Sequence, residues 1–140
     1  MKVLFDTNVV IDALTERDYD YKDSRDLLIM AVHGKIKGYI VSKQVTDIYY
    51  ILRKYISDES VKKQIMSDLC DTFTVLPFLS ADIKPSISSP VNDFEDAVLE
   101  EVAKVNVLDC IVTNNTKHFK DSRLVVFDPH NLAELMRLPA

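Results

Sequence analysis

Short apolar runs alternate along this chain with longer segments whose apolar residues recur at helical spacing, and that alternation constrains the fold more than any other feature. Val3–Phe5, Gly38–Ser42, the run FTVLPF ended by Pro77, Cys110–Thr113 and Leu124–Phe127 read as strands. Helices are predicted over Asn8–Thr15, through Leu27, Leu28, Met30, Ala31 and Val32 to a stop near Gly34, and over Gln44–Ile56. Further helices are predicted after a cap at Ser57 or Asp58, with Val61, Ile65, Met66 and Leu69 inward, and over Asp93–Val105, with Phe94, Ala97, Val98, Val102 and Ala103 inward. A last one opens at Asp128 or Pro129, and Leu79–Asn92 is expected to hold a short helix and then a loop. Cys110–Thr113 and Leu124–Phe127 show almost no polar alternation, the pattern of strands covered on both faces. Strands separated by helices form a parallel sheet between helical layers, so the expected class is α/β with three layers.

The chain has 140 residues and only two glycines, with no internal repeat or low-complexity tract, so residues 1–140 are expected to form one domain. No apolar run approaches the roughly 20 residues that span a bilayer. Asp6 also interrupts the N-terminal apolar stretch, so no signal peptide is read and a cytoplasmic location is expected. Cys70 and Cys110 make no metal-binding spacing and are expected to be reduced core residues. Seventeen basic against 22 acidic residues give a net charge of −5, which argues against a general nucleic-acid coat. A small nucleic-acid site is still compatible with that charge, because metal ions held by converging carboxylates would offset it locally.

In an open α/β sheet the ligand site lies beyond the carboxyl ends of the strands. The first strand ends in Asp6-Thr7-Asn8 and the fourth in Thr113-Asn114-Asn115, so parallel, adjacent strands would bring Asp6 and Asn115 to one rim. A charge directly after a buried apolar run is costly unless it is paired, solvated in a cleft or bound to a cation. Asp47 and Asp96 are each expected in the first turn of a helix that points at this rim, where the helix dipole favours a carboxylate. Asp93 reads first as the cap of its helix, with Asp96 completing a box-like arrangement. Carboxylates without a His or Cys cluster make a hard oxygen site suited to Mg²⁺ or Mn²⁺ rather than zinc. The reaction such a site supports is metal-assisted hydrolysis of a phosphodiester.

The segments FDTNVVIDAL, QVTDIYYILRK, DFEDAVLEEVA and IVTNNTKHF, in that order, resemble the PIN-domain ribonucleases, and most closely the VapC-like toxins of bacterial toxin–antitoxin pairs. The resemblance runs from Val3 to the final helix. It implies a PIN fold and a cleft of three or four acids that binds Mg²⁺ or Mn²⁺ and cleaves RNA, with a cognate antitoxin and a homodimeric state as further expectations. Under it, Asp6, Asp47 and Asp96 match the family acids, Asn115 matches a place where many members have a fourth Asp, and Thr7, Asn8 and Thr113 match the residues that orient the first acid. Two positions depart from the pattern: Asp47 stands where Glu is usual, and Asn115 lacks a charge that Asp93 could supply. His118 likewise stands where an acid often follows.

Lys43, Lys117 and Lys120, with Arg17, are the basic residues expected near the rim and able to hold RNA phosphates without reading sequence. The YYILRKY stretch reads as core or a dimer face ahead of RNA contact. His33, His118 and His130 form no ligand cluster by spacing and are expected at the surface or at helix ends. No GxSxG elbow or phosphate-binding glycine loop is present. A phosphotransfer domain with Asp6 as nucleophile is disfavoured, since a second acid would be expected where Asn8 stands. The alternative in a different class is a PIN-like module that keeps the fold, cleaves weakly and acts by binding RNA or protein.

Overall fold

The computed structural model describes residues 1–17 and 21–139. Five strands, β1 (Lys2–Phe5), β2 (Lys37–Val41), β3 (Thr74–Leu76), β4 (Cys110–Val112) and β5 (Val125–Phe127), form one parallel sheet in the order β3-β2-β1-β4-β5. Around it, among the described residues, lie seven α-helices: α1 (Thr7–Thr15), α2 (Tyr21–Val32), α3 (Ser42–Leu52), α4 (Glu59–Thr72), α5 (Ser80–Ile87), α6 (Phe94–Val105) and α7 (Pro129–Arg137). From β1 the chain builds outward through β2 and β3, then crosses back to lay β4 on the other side of β1. The sheet order therefore reverses beside β1, and the crevice that such a switch point opens lies at the carboxyl ends of β1 and β4.

Alternation along the strands divides the core. Val3, Phe5, Ile40, Cys110 and Val112 face α1, α2, α3, α4 and α7, while Leu4, Val41, Leu76 and Ile111 face α6. The absence of a side chain at Gly38 lets the Phe73 ring lie on β2, since a Cβ there would stand 2.8 Å from it. Phe73 in turn meets Phe5 edge-on, with ring centroids 5.0 Å apart.

Several expectations are corrected. β5 is a sheet edge rather than a doubly covered strand, and its Val125 is 58% exposed. Phe94, expected inward, opens α6 at the rim, beyond the reach of the sheet, and is exposed. Val61 lies in the first turn of α4 and is exposed as well; Ile65 and Met66 are half-buried and Leu69 carries the contact. Cys70 follows Leu69 around α4 and so points outward, leaving Cys110 as the buried thiol, pushed up to about 12 by desolvation and by the nearby Asp109 charge. α3 begins at Ser42, not Gln44, because the Gln44 side chain accepts the Val41 N–H at 2.7 Å and starts the helix early. Asp47 consequently sits in the second turn of α3, outside the reach of its N-terminal dipole. Helix α3 ends at Leu52, so Tyr55 and Ile56 lie beyond it and Tyr55 is exposed. No helix among the described residues is long and apolar enough to cross a membrane.

Candidate active site

The cleft at the carboxyl ends of β1 and β4 is a cavity of about 360 Å³ whose walls include Asp6, Asn8, Lys43, Asp47, Tyr50, Asp93, Asp96, Asn115 and His118. The acids selected from the sequence thus reach one hollow, on three elements: the end of β1, the middle of α3 and the start of α6.

Asp6 is only 7% exposed and caps α1. Its Oδ1 accepts the Thr7 N–H at 2.7 Å and its Oδ2 accepts the Thr113 hydroxyl at 2.7 Å. That hydroxyl also accepts the Asn115 N–H at 3.0 Å, so the turn after β4 is fastened to the acid at the end of β1. Burial pushes the Asp6 carboxyl above its ordinary value, against the pull of the Thr113 and Thr7 hydrogen bonds. Thr7 orients Asp6 through its amide; its hydroxyl accepts instead from Gln44 at 3.2 Å.

Asp93 caps α6 by accepting the Asp96 N–H at 3.0 Å, the plain role expected of it, and lines the cleft as well. Asp96 stands in the first turn of α6, as expected, with its Oδ2 3.2 Å from Nδ1 of His118. Desolvation, reinforced by the neighbouring charges of Asp6 and Asp93, lifts the Asp96 carboxyl to about 6, and His118 opposes the rise. His118, expected at the surface or at a helix end, is exposed there and also forms part of the cleft wall.

Asp47 reaches the cavity but is engaged by Lys43, whose Nζ lies 2.8 Å from its Oδ2. Asn115 lines the cavity and is exposed. Lys117 and Lys120 do not line it; with Asn92, Asp93, His118 and Asp121 they surround an adjoining hollow of about 470 Å³. Tyr50, from the stretch expected to form core or a dimer face, is exposed on the cleft wall with the Arg53 guanidinium 4.9 Å from its ring centre.

Two supports escaped the sequence reading. Gln44 is 1% exposed and donates to the Phe5 carbonyl at 2.8 Å, which ties the end of β1 to the start of α3. Asp12, on the otherwise apolar run Val9–Ala13, is also buried; it accepts from Arg17 Nε at 2.6 Å and from Asn114. Glu16, left-handed at φ 54°, ends α1 and brings Arg17 back over Asp12 and onto Asn8 Oδ1 at 2.8 Å. Arg17 thus acts as a clamp on Asn8. The signal for Asp12 was a charge inside an apolar helix with an Arg five residues on; for Gln44 it was a box-like spacing from the end of β2.

Among the described residues no three His, Cys, Asp or Glu side chains form a ready metal-ligating group. The donor set nevertheless fits Mg²⁺ or Mn²⁺. It is all oxygen, it includes a buried carboxylate with a second carboxylate close enough to raise its neighbour's proton affinity, and Mg²⁺ ordinarily binds through one or two carboxylates while keeping several waters.

An α/β sheet with acids at its switch point defines a class, and the family follows from comparison with known sequences. The family model of the PIN domain matches residues 2–117, and the chain belongs to that family. Among known proteins it is similar to "Ribonuclease VapC1" of Aquifex aeolicus (strain VF5), 26% identical over 126 residues and covering 84% of each chain. Among solved structures it is similar to VapBC2 from Rickettsia felis bound to a DNA fragment from their promoter, with a TM-score of 0.68, 16% identity and coverage of 91% of this chain and 98% of that one. It is similar also to a toxin–antitoxin complex from Klebsiella pneumoniae, with a TM-score of 0.67, 22% identity and coverage of 91% and 97%. These likenesses bear out the three-layer parallel fold read from the sequence.

Proposed function

We propose that this chain, as one PIN domain over residues 1–140, is a Mg²⁺- or Mn²⁺-dependent endoribonuclease and the toxin of a toxin–antitoxin pair. The observation that carries the reading is Asp6: a buried carboxylate at the end of the central strand, gripped by Thr113 and the Thr7 amide, and facing Asp96 across the cleft. The name of the Aquifex relative supports the same activity, and the toxin–antitoxin complex from Klebsiella pneumoniae among the structural neighbours supports the same kind of partner.

In this reading Asp6 and Asp96 hold the ion, Asp93 adds negative charge from the cap of α6, and Asn115 orients water with its amide. The bound ion would lower the pKa of a water and neutralise charge developing on the phosphate. Thr113 and Thr7 keep Asp6 from rotating away, and His118 restrains Asp96. Lys117 and Lys120, in the hollow beside the cleft, hold flanking phosphates of the strand as point charges. Exposed Ile29, Val32 and Val61 on α2 and α4 support a homodimer, to be checked by sedimentation. A cytoplasmic location accords with both RNA substrate and antitoxin.

A second reading, a weakly cleaving module that binds RNA or protein, is favoured by the missing charge at Asn115. One experiment separates the two. Purified protein is incubated with RNA in Mn²⁺ or in EDTA, and the product ends are analysed. Attack by water leaves a phosphate on one end and a hydroxyl on the other. Cleavage in Mn²⁺ alone with those ends supports the nuclease; 2′,3′-cyclic phosphate ends, or no cleavage, contradict it. The toxin assignment is tested by growth arrest on expression, relieved by the product of an adjacent small reading frame.

A further inference from the structure

Asp47, matched by the resemblance to a metal ligand, is already committed to a cation. Its Oδ2 lies 2.8 Å from Lys43 Nζ one turn earlier on α3, and the same Nζ stands 3.6 Å from Oε1 of Glu95 in the first turn of α6. A solvated helical pair of this spacing would be worth only a few tenths of a kcal/mol and would need no explanation. This one does more: Lys43 is 29% exposed, lines the same cavity as Asp6 and Asp96, and spans two helices across the cleft. Asp is also one methylene shorter than Glu, and among the described residues no three His, Cys, Asp or Glu side chains stand close enough together to hold one ion between them.

Resting on the nuclease reading above, we propose that Lys43 is the second cation of the site. It contacts the scissile phosphate as a fixed ammonium, Asp47 and Glu95 are positioning residues that hold it there, and the cleft takes one divalent ion per chain, on Asp6 and Asp96. Sites with two metal ions use them to stabilise both the attacking and the leaving oxygen of the displacement. A lysine is a recognised phosphate partner that acts as a point charge. No bond to Lys43 forms or breaks. As the water oxygen bonds to phosphorus and the phosphorus–oxygen ester bond breaks, the water gives its proton to solvent and the leaving oxygen takes one from solvent, while the ammonium offsets the negative charge on the phosphate.

The test is calorimetric titration of metal-stripped full-length protein with Mn²⁺, alongside RNA cleavage rates, for wild type, Asp47→Asn, Lys43→Met and Lys43→Arg. Expected are one ion per chain in wild type and an Mn²⁺ affinity for Asp47→Asn within about threefold of it, less than the roughly tenfold or greater loss that follows weakening of a metal's support. Lys43→Met should keep the ion and lose on the order of 100-fold in kcat, the scale of a lost electrostatic contact, and Lys43→Arg should recover most of that loss. Two ions in wild type, a tenfold or greater loss of affinity in Asp47→Asn, or full activity in Lys43→Met would overturn the proposal. Binding of no ion by wild type would instead overturn the metal-nuclease reading, and this inference with it.

Discussion

The Thr113 hydroxyl donates to Asp6 Oδ2 at 2.7 Å, a contact between residues 107 positions apart that joins the ends of β4 and β1 at the sheet's switch point. Thr113 is fully buried and its oxygen also takes the Asn115 amide, so a single hydroxyl fixes the acid and the loop that faces it. Thr113→Val keeps the volume and removes both bonds. A buried carboxylate oxygen left without a donor costs about 1–3 kcal/mol, which urea unfolding would show. Mn²⁺ affinity should fall roughly 10- to 100-fold, as when a partner of a metal ligand is removed.

Asp96 makes the metal-free protein pH-sensitive. Its folded pKa, about 6, lies above its unfolded value near 3.8, so between these pH values the folded state binds more protons than the unfolded one. The stability this group contributes is whole below about 4 and is lost as pH rises through 6. Asp96→Asn removes the loss. In EDTA the variant should therefore gain stability over wild type, and gain more at pH 7 than at pH 4, as measured by urea midpoints. A gain independent of pH would contradict the burial and crowding that raise this group.

Glu100 is fully buried one turn after Asp96, and Arg123 reaches it with Nη2 at 2.6 Å, Nε at 3.1 Å and its backbone N–H at 2.8 Å. Ser89 donates to it as well, so this carboxylate anchors α6 to the segments on either side of it. These donors hold Glu100 below its ordinary pKa despite its burial. Arg123→Met removes the guanidinium but keeps the Arg123 backbone and Ser89 donors, and because Arg123 is partly exposed it should cost about 1–3 kcal/mol, read as a lowered urea midpoint. Arg123→Lys should recover only part, because one ammonium cannot reproduce the two-nitrogen grip.

Gln44 bonds the Phe5 carbonyl, the Thr7 hydroxyl and the Val41 amide from a fully enclosed position. Gln44→Leu strands the Val41 amide and the Phe5 carbonyl and should destabilise by about 2–6 kcal/mol, at 1–3 kcal/mol for each buried group left unsatisfied. Cleavage should fall too, because the same bonds set the angle between Asp6 and α3. Differential scanning calorimetry paired with RNA cleavage checks both effects.

The parallel sheet was readable because its strands are short and apolar and its helices strongly periodic, and the convergence of Asp6 and Asn115 followed from strand-end chemistry, that of Asp96 from its place in the first turn of a helix. What escaped depended on partners distant in sequence. His118 is a plain surface residue until α6 brings Asp96 within 3.2 Å. Asp12 matters because a left-handed Glu16 returns Arg17 to it. Asp47 fell two residues deeper in its helix than spacing indicated, because the helix starts at Ser42, where the Gln44 side chain takes the Val41 N–H although no Ser or Asp cap is present. Val125 and Phe94 were misjudged for a related reason: apolar character does not reveal which strand becomes the edge or where a helix overhangs the sheet.

The central claim is that Asp6 is the acid on which metal-dependent cleavage of RNA depends. Asp6→Asn retains the shape of the side chain and an oxygen for the Thr113 hydroxyl, while removing the charge. Cleavage of end-labelled RNA in Mn²⁺ should fall by at least about 1,000-fold, the scale on which loss of a main electrostatic contribution to a barrier is felt, with the variant folded by circular dichroism. Equal cleavage by wild type and a folded Asp6→Asn protein would contradict it.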